Sequence, residues 1–173
     1  LLAYTFWFAL ELLVPKDKIV YNTKINKLTI GILAVLLVQL VYGAFMAGHK
    51  AATAAPTWPD INGSIIPPNM FGQEGGLLDL IDNRITIHFI HRGLAYLLLA
   101  LVLWQTSWLF KSKETADLKI SSWLPAFLVS FQLALGILSV LASTEIIPNQ
   151  WGLFEWMAQF HQLVAMALLL SQV

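Results

Sequence analysis

The chain has 173 residues, is 58% hydrophobic and 12% charged, and carries no net charge. A soluble domain carries about 25% charged residues, so this composition, with a mean hydropathy of +0.70, points to an integral membrane protein of one domain with no affinity for nucleic acid. Because the chain has no cysteine, disulfides, thiolate-bound zinc, iron–sulfur clusters and covalently attached c-type haem are excluded.

The chain opens Leu1-Leu2-Ala3-Tyr4, without the basic start of a signal peptide. Residues 1–14 are apolar apart from Thr5 and Glu11, but they fall short of the roughly 20 residues that cross a bilayer. They read as the end of a truncated transmembrane helix, and residues 15–27 as a loop. Leu28 to Gly48 is the first complete span, interrupted by Gln39 and Tyr42. Its end is rich in small residues (Gly43, Ala44, Ala47, Gly48), a pattern that lets another helix approach closely.

Between His49 and Asn83, Pro56, Pro59, Pro67 and Pro68 exclude a long helix. The aromatic and aliphatic content of this loop (Trp58, Ile61, Ile65, Ile66, Phe71) argues against disorder. It is expected to fold back over the membrane face as a cover, with Leu77 to Ile81 in the interface. Ile85 to Phe110, Ile120 to Ala142 (with Pro125 near its start) and Trp151 to Val173 are the remaining spans. The expected fold class is therefore an all-α, four-helix transmembrane bundle over residues 28–173.

Basic residues set the orientation. Lys16, Lys18, Lys24 and Lys27 precede the first span, and Lys111, Lys113 and Lys119 lie between the second and third. Both groups fall on one side, the inner one. The 49–83 loop, with Lys50 and the boundary Arg84, belongs outside, as does the segment from Ser143 to Gln150, which has no Lys or Arg. Trp104, Trp108, Trp123 and Trp151 are expected as interface anchors, and Glu145 and Glu155 as solvated outer-side residues.

A repeat runs through this plan. Gln39-Leu40-Val41-Tyr42-Gly43 in the first span matches Gln132-Leu133-Ala134-Leu135-Gly136 in the third. The second span supplies His91 with Ala95 four residues on, and the fourth supplies His161 with Ala165. Each pair of spans thus repeats one unit, related by an axis along the membrane normal.

Ionisable groups inside a membrane helix are expensive and read as functional. Both histidine spans enter from the outer side, so His91 and His161 lie at similar depth. Two facing imidazoles suit axial ligation of a haem iron, and Ala95 and Ala165 leave flat space for a macrocycle. Arg92 and Arg84 sit at the same end, where they could pair with its propionates. His88, one turn before His91, is expected beside the haem and not on it. His49 is expected to be interfacial. Gln159 and Gln162 flank His161 and are expected to orient it.

Taken together, Gly43-Ala44-Phe45-Met46-Ala47-Gly48, Thr57-Trp58-Pro59-Asp60-Ile61-Asn62-Gly63, Ile66-Pro67-Pro68, Phe89-Ile90-His91-Arg92 and His161-Gln162 resemble, in that order, the second half of haem A synthases. The resemblance covers roughly residues 27–173 and implies an eight-helix pseudo-repeat protein, of which this chain is the second half with the end of a preceding helix. It implies oxidation of a ring methyl of haem O to the formyl of haem A, for cytochrome oxidase assembly. The first half would hold the substrate haem and a catalytic glutamate. The second half would hold a permanent haem b (iron protoporphyrin IX), on His91 and His161. The implied partners are haem O, lipid and an electron donor, with a homo-oligomer left open, in a bacterial plasma membrane or a mitochondrial inner membrane. The chain departs from the family pattern in placing His88 three residues before the ligand, where the first half has its glutamate, and in having His49 where an apolar residue is usual. The catalytic residues are thus expected outside this chain. The rival readings are a bis-histidine b-type electron carrier and a transporter or assembly scaffold.

Overall fold

The computed structural model describes residues 1–15, 22–68, 70, 76–111 and 119–173, without the side chains of 119–122. Lys16, Lys18, Phe71 and Lys113 lie outside the described residues, as does the side chain of Lys119. Six α-helices are described: α1 (Leu2–Leu13), α2 (Thr23–Gly48), α3 (Asp79–Asp82), α4 (Arg84–Lys111), α5 (Lys119–Ala142) and α6 (Leu153–Gln172). Of these, α2, α4, α5 and α6 are long and apolar enough to cross a membrane. The protein is an all-α membrane bundle.

Local chemistry fixes the helix starts. Asn22 caps α2 by accepting from the amides of Lys24 and Ile25 at 3.1 and 3.2 Å. Asn83 caps α4 in the same way, through Ile85 at 2.9 Å and Thr86 at 3.2 Å. At α6 the Glu155 carboxylate accepts from the Gly152 amide at 2.8 Å, so Glu155 is a capping residue and not the freely solvated one expected from sequence. Pro125 lies inside α5 without ending it, as membrane helices tolerate.

The four long helices form a ring in which α2 packs on α4, α4 on α5 and α5 on α6, and α6 closes more sparsely on α2. Neighbours run antiparallel: Gln105, late in α4, donates to the Thr29 hydroxyl, early in α2, at 2.8 Å. At the opposite end the Ser143 hydroxyl donates to the Ala52 carbonyl at 3.2 Å. One compact layer, made of Ile32, Leu36, Leu98, Val102, Val129 and Leu168, fills the end of the bundle away from the 49–83 loop. Between membrane helices such a layer holds by van der Waals packing, since lipid is as apolar as leucine.

The described residues of the 49–83 loop form a cover over the other end. Ile61 and Ser64 exchange backbone hydrogen bonds at 2.8 and 3.2 Å around Asn62 and Gly63, whose φ values are 53° and 87°. Two positive φ values make a type I′ turn, the geometry that Asn-Gly favours. The Thr57 hydroxyl donates to the Asp60 carbonyl at 3.0 Å, and Asn62 donates to the Ala54 carbonyl at 2.9 Å. Ala51, Ala55 and Ile61 are buried beneath this cover, while Leu77, Leu78 and Ile81 are exposed on its edge.

Candidate functional site

The half of the ring beneath the cover holds a cavity of about 740 Å³, lined by α2, α4, α5, α6 and the cover. Pockets for cofactor-sized molecules span roughly 300–1,000 Å³. The floor includes Leu36, Leu98, Val129 and Leu168 from the packed layer. Gly43, Ala44 and Ala47 line the cavity wall, which corrects the expectation that they serve helix–helix packing. Their small side chains make room inside the ring.

His91 lies seven residues after the start of α4 and His161 eight after the start of α6. At 1.5 Å per residue both sit roughly 10–12 Å along their helices. Their ring centres are 6.4 Å apart, with planes at 66°. Each imidazole is held by the preceding long helix, α2 for His91 and α5 for His161, in the same manner. Gln39 Nε2 is 3.3 Å from His91 Nε2, and Gln132 Nε2 is 3.3 Å from His161 Nε2. One turn on, Gly43 faces Cε1 of His91 and Gly136 faces Cε1 of His161. The two Gln-Leu-x-x-Gly segments noted in the sequence are thus two copies of one histidine cradle.

The copies differ in detail. His161 Nδ1 is 3.0 Å from the Gln132 carbonyl, an acceptor that fixes the proton on Nδ1 and turns the Nε2 lone pair to the cavity. Nδ1 of His91 is buried without a hydrogen-bond partner, as are the side-chain oxygens of Gln39 and Gln132.

Around this pair the structure gathers His88, Arg92, Ala95 and Ala165 on the cavity wall and leaves Arg84 outside it. His88 is fully buried and accepts from Arg92 Nε at 3.0 Å. The remaining guanidinium donors point into the cover: Nη1 to the carbonyls of Asp60 (2.7 Å) and Pro59 (3.4 Å), Nη2 to those of Thr57 (2.5 Å) and Ala55 (3.4 Å). Arg92 therefore ties the cover to α4. Trp58 adds a second tie by donating to the Tyr96 hydroxyl at 3.2 Å. Below this tie the Gly63 amide, the Thr57 hydroxyl and the Arg92 charge together hold the Asp60 carboxyl below its ordinary range.

His49 lies 3.9 Å from the exposed carboxylate of Asp82, at the edge of the cover. Gln162 lines the cavity, but it is Gln132, on the facing helix, that bonds His161. The sequence reading missed both glutamines as histidine partners, although its repeat contained them. Among the described residues there is no cluster of three or more metal-ligating side chains. A two-histidine site of this kind suits a metal that brings its own equatorial ligands.

The model of a protein family described as COX15-CtaA, cytochrome oxidase assembly protein, matches residues 1–173. A haem A synthase of Sinorhizobium medicae is 38% identical over 135 residues, covering 77% of this chain and 36% of its own length. One of Rhodopseudomonas palustris is 36% identical over 141 residues, covering 80% and 38%. One of Flavobacterium johnsoniae is 32% identical over 176 residues, covering 99% and 50%. The chain thus spans half or less of the length of these relatives. No solved structure matches it significantly.

Proposed function

Because the chain belongs to the COX15-CtaA family of cytochrome oxidase assembly proteins, we propose that residues 28–173 form a haem-binding membrane unit with His91 and His161 as the axial ligands of one haem b. In this reading the unit is the electron-transfer half of a haem A synthase, which oxidises the ring methyl of haem O to a formyl group. The residues that carry out the oxidation then belong to the part of the relatives that this chain does not match. Further partners in this reading are lipid and an electron donor. The 49–83 cover faces the outer side, because Lys24, Lys27 and Lys111 gather at the other end of the bundle.

The observation that carries the reading is the spacing of the two rings. Imidazoles that share one iron stand with their centres roughly 6 Å apart, given metal–nitrogen bonds of about 2 Å. The separation here is 6.4 Å. The two glutamine amides occupy the Nε2 lone pairs that a metal would take, and at 3.3 Å these are long hydrogen bonds, readily released. The bound haem would supply one-electron transfer. The chain holds the imidazoles at one level, keeps His161 in the required tautomer through Gln132, and excludes water by the packed floor and the tied cover.

The test is an optical spectrum of the purified protein. A low-spin b-type spectrum is expected, and His91→Ala or His161→Ala should abolish it; a colourless protein would sink the reading. A bis-histidine membrane electron carrier is the second reading, since the two-histidine site alone would serve it equally. The coding sequence upstream separates the two. A further four-helix half with a glutamate three residues before a histidine supports the synthase, and a different upstream sequence supports the carrier.

A further inference from the structure

We propose that Lys50 is the carboxylate-binding residue of the cavity, its ammonium taking a propionate of the bound haem, while Arg84 and Arg92 only hold the backbone around it. The proposal rests on the haem reading above. Three strong cations stand at the outer end of the bundle. All five N–H groups of Arg92 are directed at His88 and at four carbonyls of the cover, so it has no donor left for a ligand. Arg84 lies outside the cavity lining, and its Nη2 donates to the Lys50 carbonyl and the Thr53 hydroxyl, both at 2.6 Å.

Lys50 lines the cavity at its rim. Its backbone is held from several directions. The amide donates to the Ala47 carbonyl at 3.2 Å, and its own carbonyl accepts from Arg84, from the Thr53 hydroxyl at 2.8 Å and from the Thr53 amide at 3.2 Å. These bonds fix it at φ 51° and ψ 40°, a left-handed conformation that is unfavourable for a residue other than glycine. The fold thus places a lysine in strained backbone at the cavity mouth. Its side chain is exposed and makes no hydrogen bond or ion pair among the described residues. Among the described residues the one carboxylate on the cavity wall, Glu155, is engaged by the Gly152 amide.

A ligand with an apolar, flat body and a carboxylate edge therefore meets one unengaged strong cation. The lysine stem can lie along apolar wall while its ammonium stays at the wet mouth. An anionic lipid phosphate shares this chemistry, and the test separates the two sources.

The experiment titrates the purified full chain, prepared haem-free, with iron protoporphyrin IX and with its dimethyl ester, in wild type, Lys50→Gln and Lys50→Arg. For the free acid, Lys50→Gln should weaken binding about three- to tenfold, as for a solvent-exposed to partly shielded ion pair, with Lys50→Arg close to wild type. For the ester, wild type and Lys50→Gln should bind equally. All bound forms should keep the same bis-histidine spectrum. A Lys50→Gln protein that binds the free acid as tightly as wild type overturns the proposal, as does a loss that persists with the ester. A variant unchanged toward both haems but poorer at retaining phosphatidylglycerol assigns the lysine to lipid and overturns it too. If wild type itself shows no histidine-ligated spectrum, the haem reading falls and takes the proposal with it.

Discussion

A β-carbon placed on Gly136 would stand 3.0 Å from Cε1 of His161, and the ring nitrogens would follow at 3.5 and 3.7 Å. The same atom on Gly43 would stand 3.6 Å from Cε1 of His91. The first distance is too tight for a carbon contact, while the second is an ordinary van der Waals one. His161 therefore docks against bare helix backbone, and His91 has a few tenths of an ångström to spare.

Gly136→Ala should displace the His161 ring and lower haem occupancy at least tenfold, whereas Gly43→Ala should leave it within about twofold. Haem content per protein and the reduced optical spectrum measure both. Equal effects of the two alanines would mean that the cradles do not position the rings.

Arg92→Lys should loosen the cover. Lysine supplies a point charge in place of a planar fork of five donors, so several carbonyls between Ala55 and Asp60 lose their partner. The expected loss is about 2 kcal/mol. It should appear as faster protease cleavage between residues 49 and 83 and a roughly tenfold faster release of haem. Cleavage at the wild-type rate would show that other contacts hold the cover.

Ile32→Ala should destabilise the bundle by about 2–4 kcal/mol, since Ile32 is 1% exposed within the packed layer. Ile32 does not line the cavity, so the haem spectrum should be unchanged. Thermal unfolding in detergent measures the first and absorbance the second; a shifted spectrum would mean that layer and site are not separable.

The Asp60 carboxyl is held below its ordinary range, foremost by the Gly63 amide. A folded value below the unfolded one contributes stability above the unfolded value, near pH 3.9, and loses it as pH falls through the folded value. The Asn62–Gly63 turn should therefore loosen only in acid below about pH 4. Pepsin cleavage of the cover in wild type should be slower than in Asp60→Asn at pH 5 and approach it as pH falls. A ratio that stays flat would show that the carboxylate does not secure the turn.

The bundle was legible because membrane spans are long, nearly uniform apolar runs whose hydrogen bonds are all internal. The starts of α4, α5 and α6 were off by one or two residues, and that of α2 by five, so that residues 23–27 are helix where a loop was expected. α2, α4 and α6 are started by Asn22, by Asn83 and by Glu155 reaching back to Gly152, contacts too local for hydropathy to show. His91 and His161 stood out as titratable groups in apolar sequence. The hydrogen bonds of Arg92 and Arg84 to the cover did not, because a guanidinium at a helix end looks the same whether it meets a ligand or a carbonyl. Gly43 and Gly136 were visible as a repeat, but as small residues in a membrane helix they carry the signature of packing. Only the partner that each glycine faces distinguishes a cradle from a helix crossing.

The packed layer and the cavity occupy opposite ends of the same four helices. Side chains from Ile32 to Leu168 bind one end into a stiff base, while the other end is joined by a few hydrogen bonds through Arg92, Trp58 and Ser143. The molecule is therefore built like a spring clip with its pivot at the floor. In the proposed haem reading, loading would part the jaws by the thickness of a flat ring, a motion drawn from the weakly held end, and would leave the pivot intact.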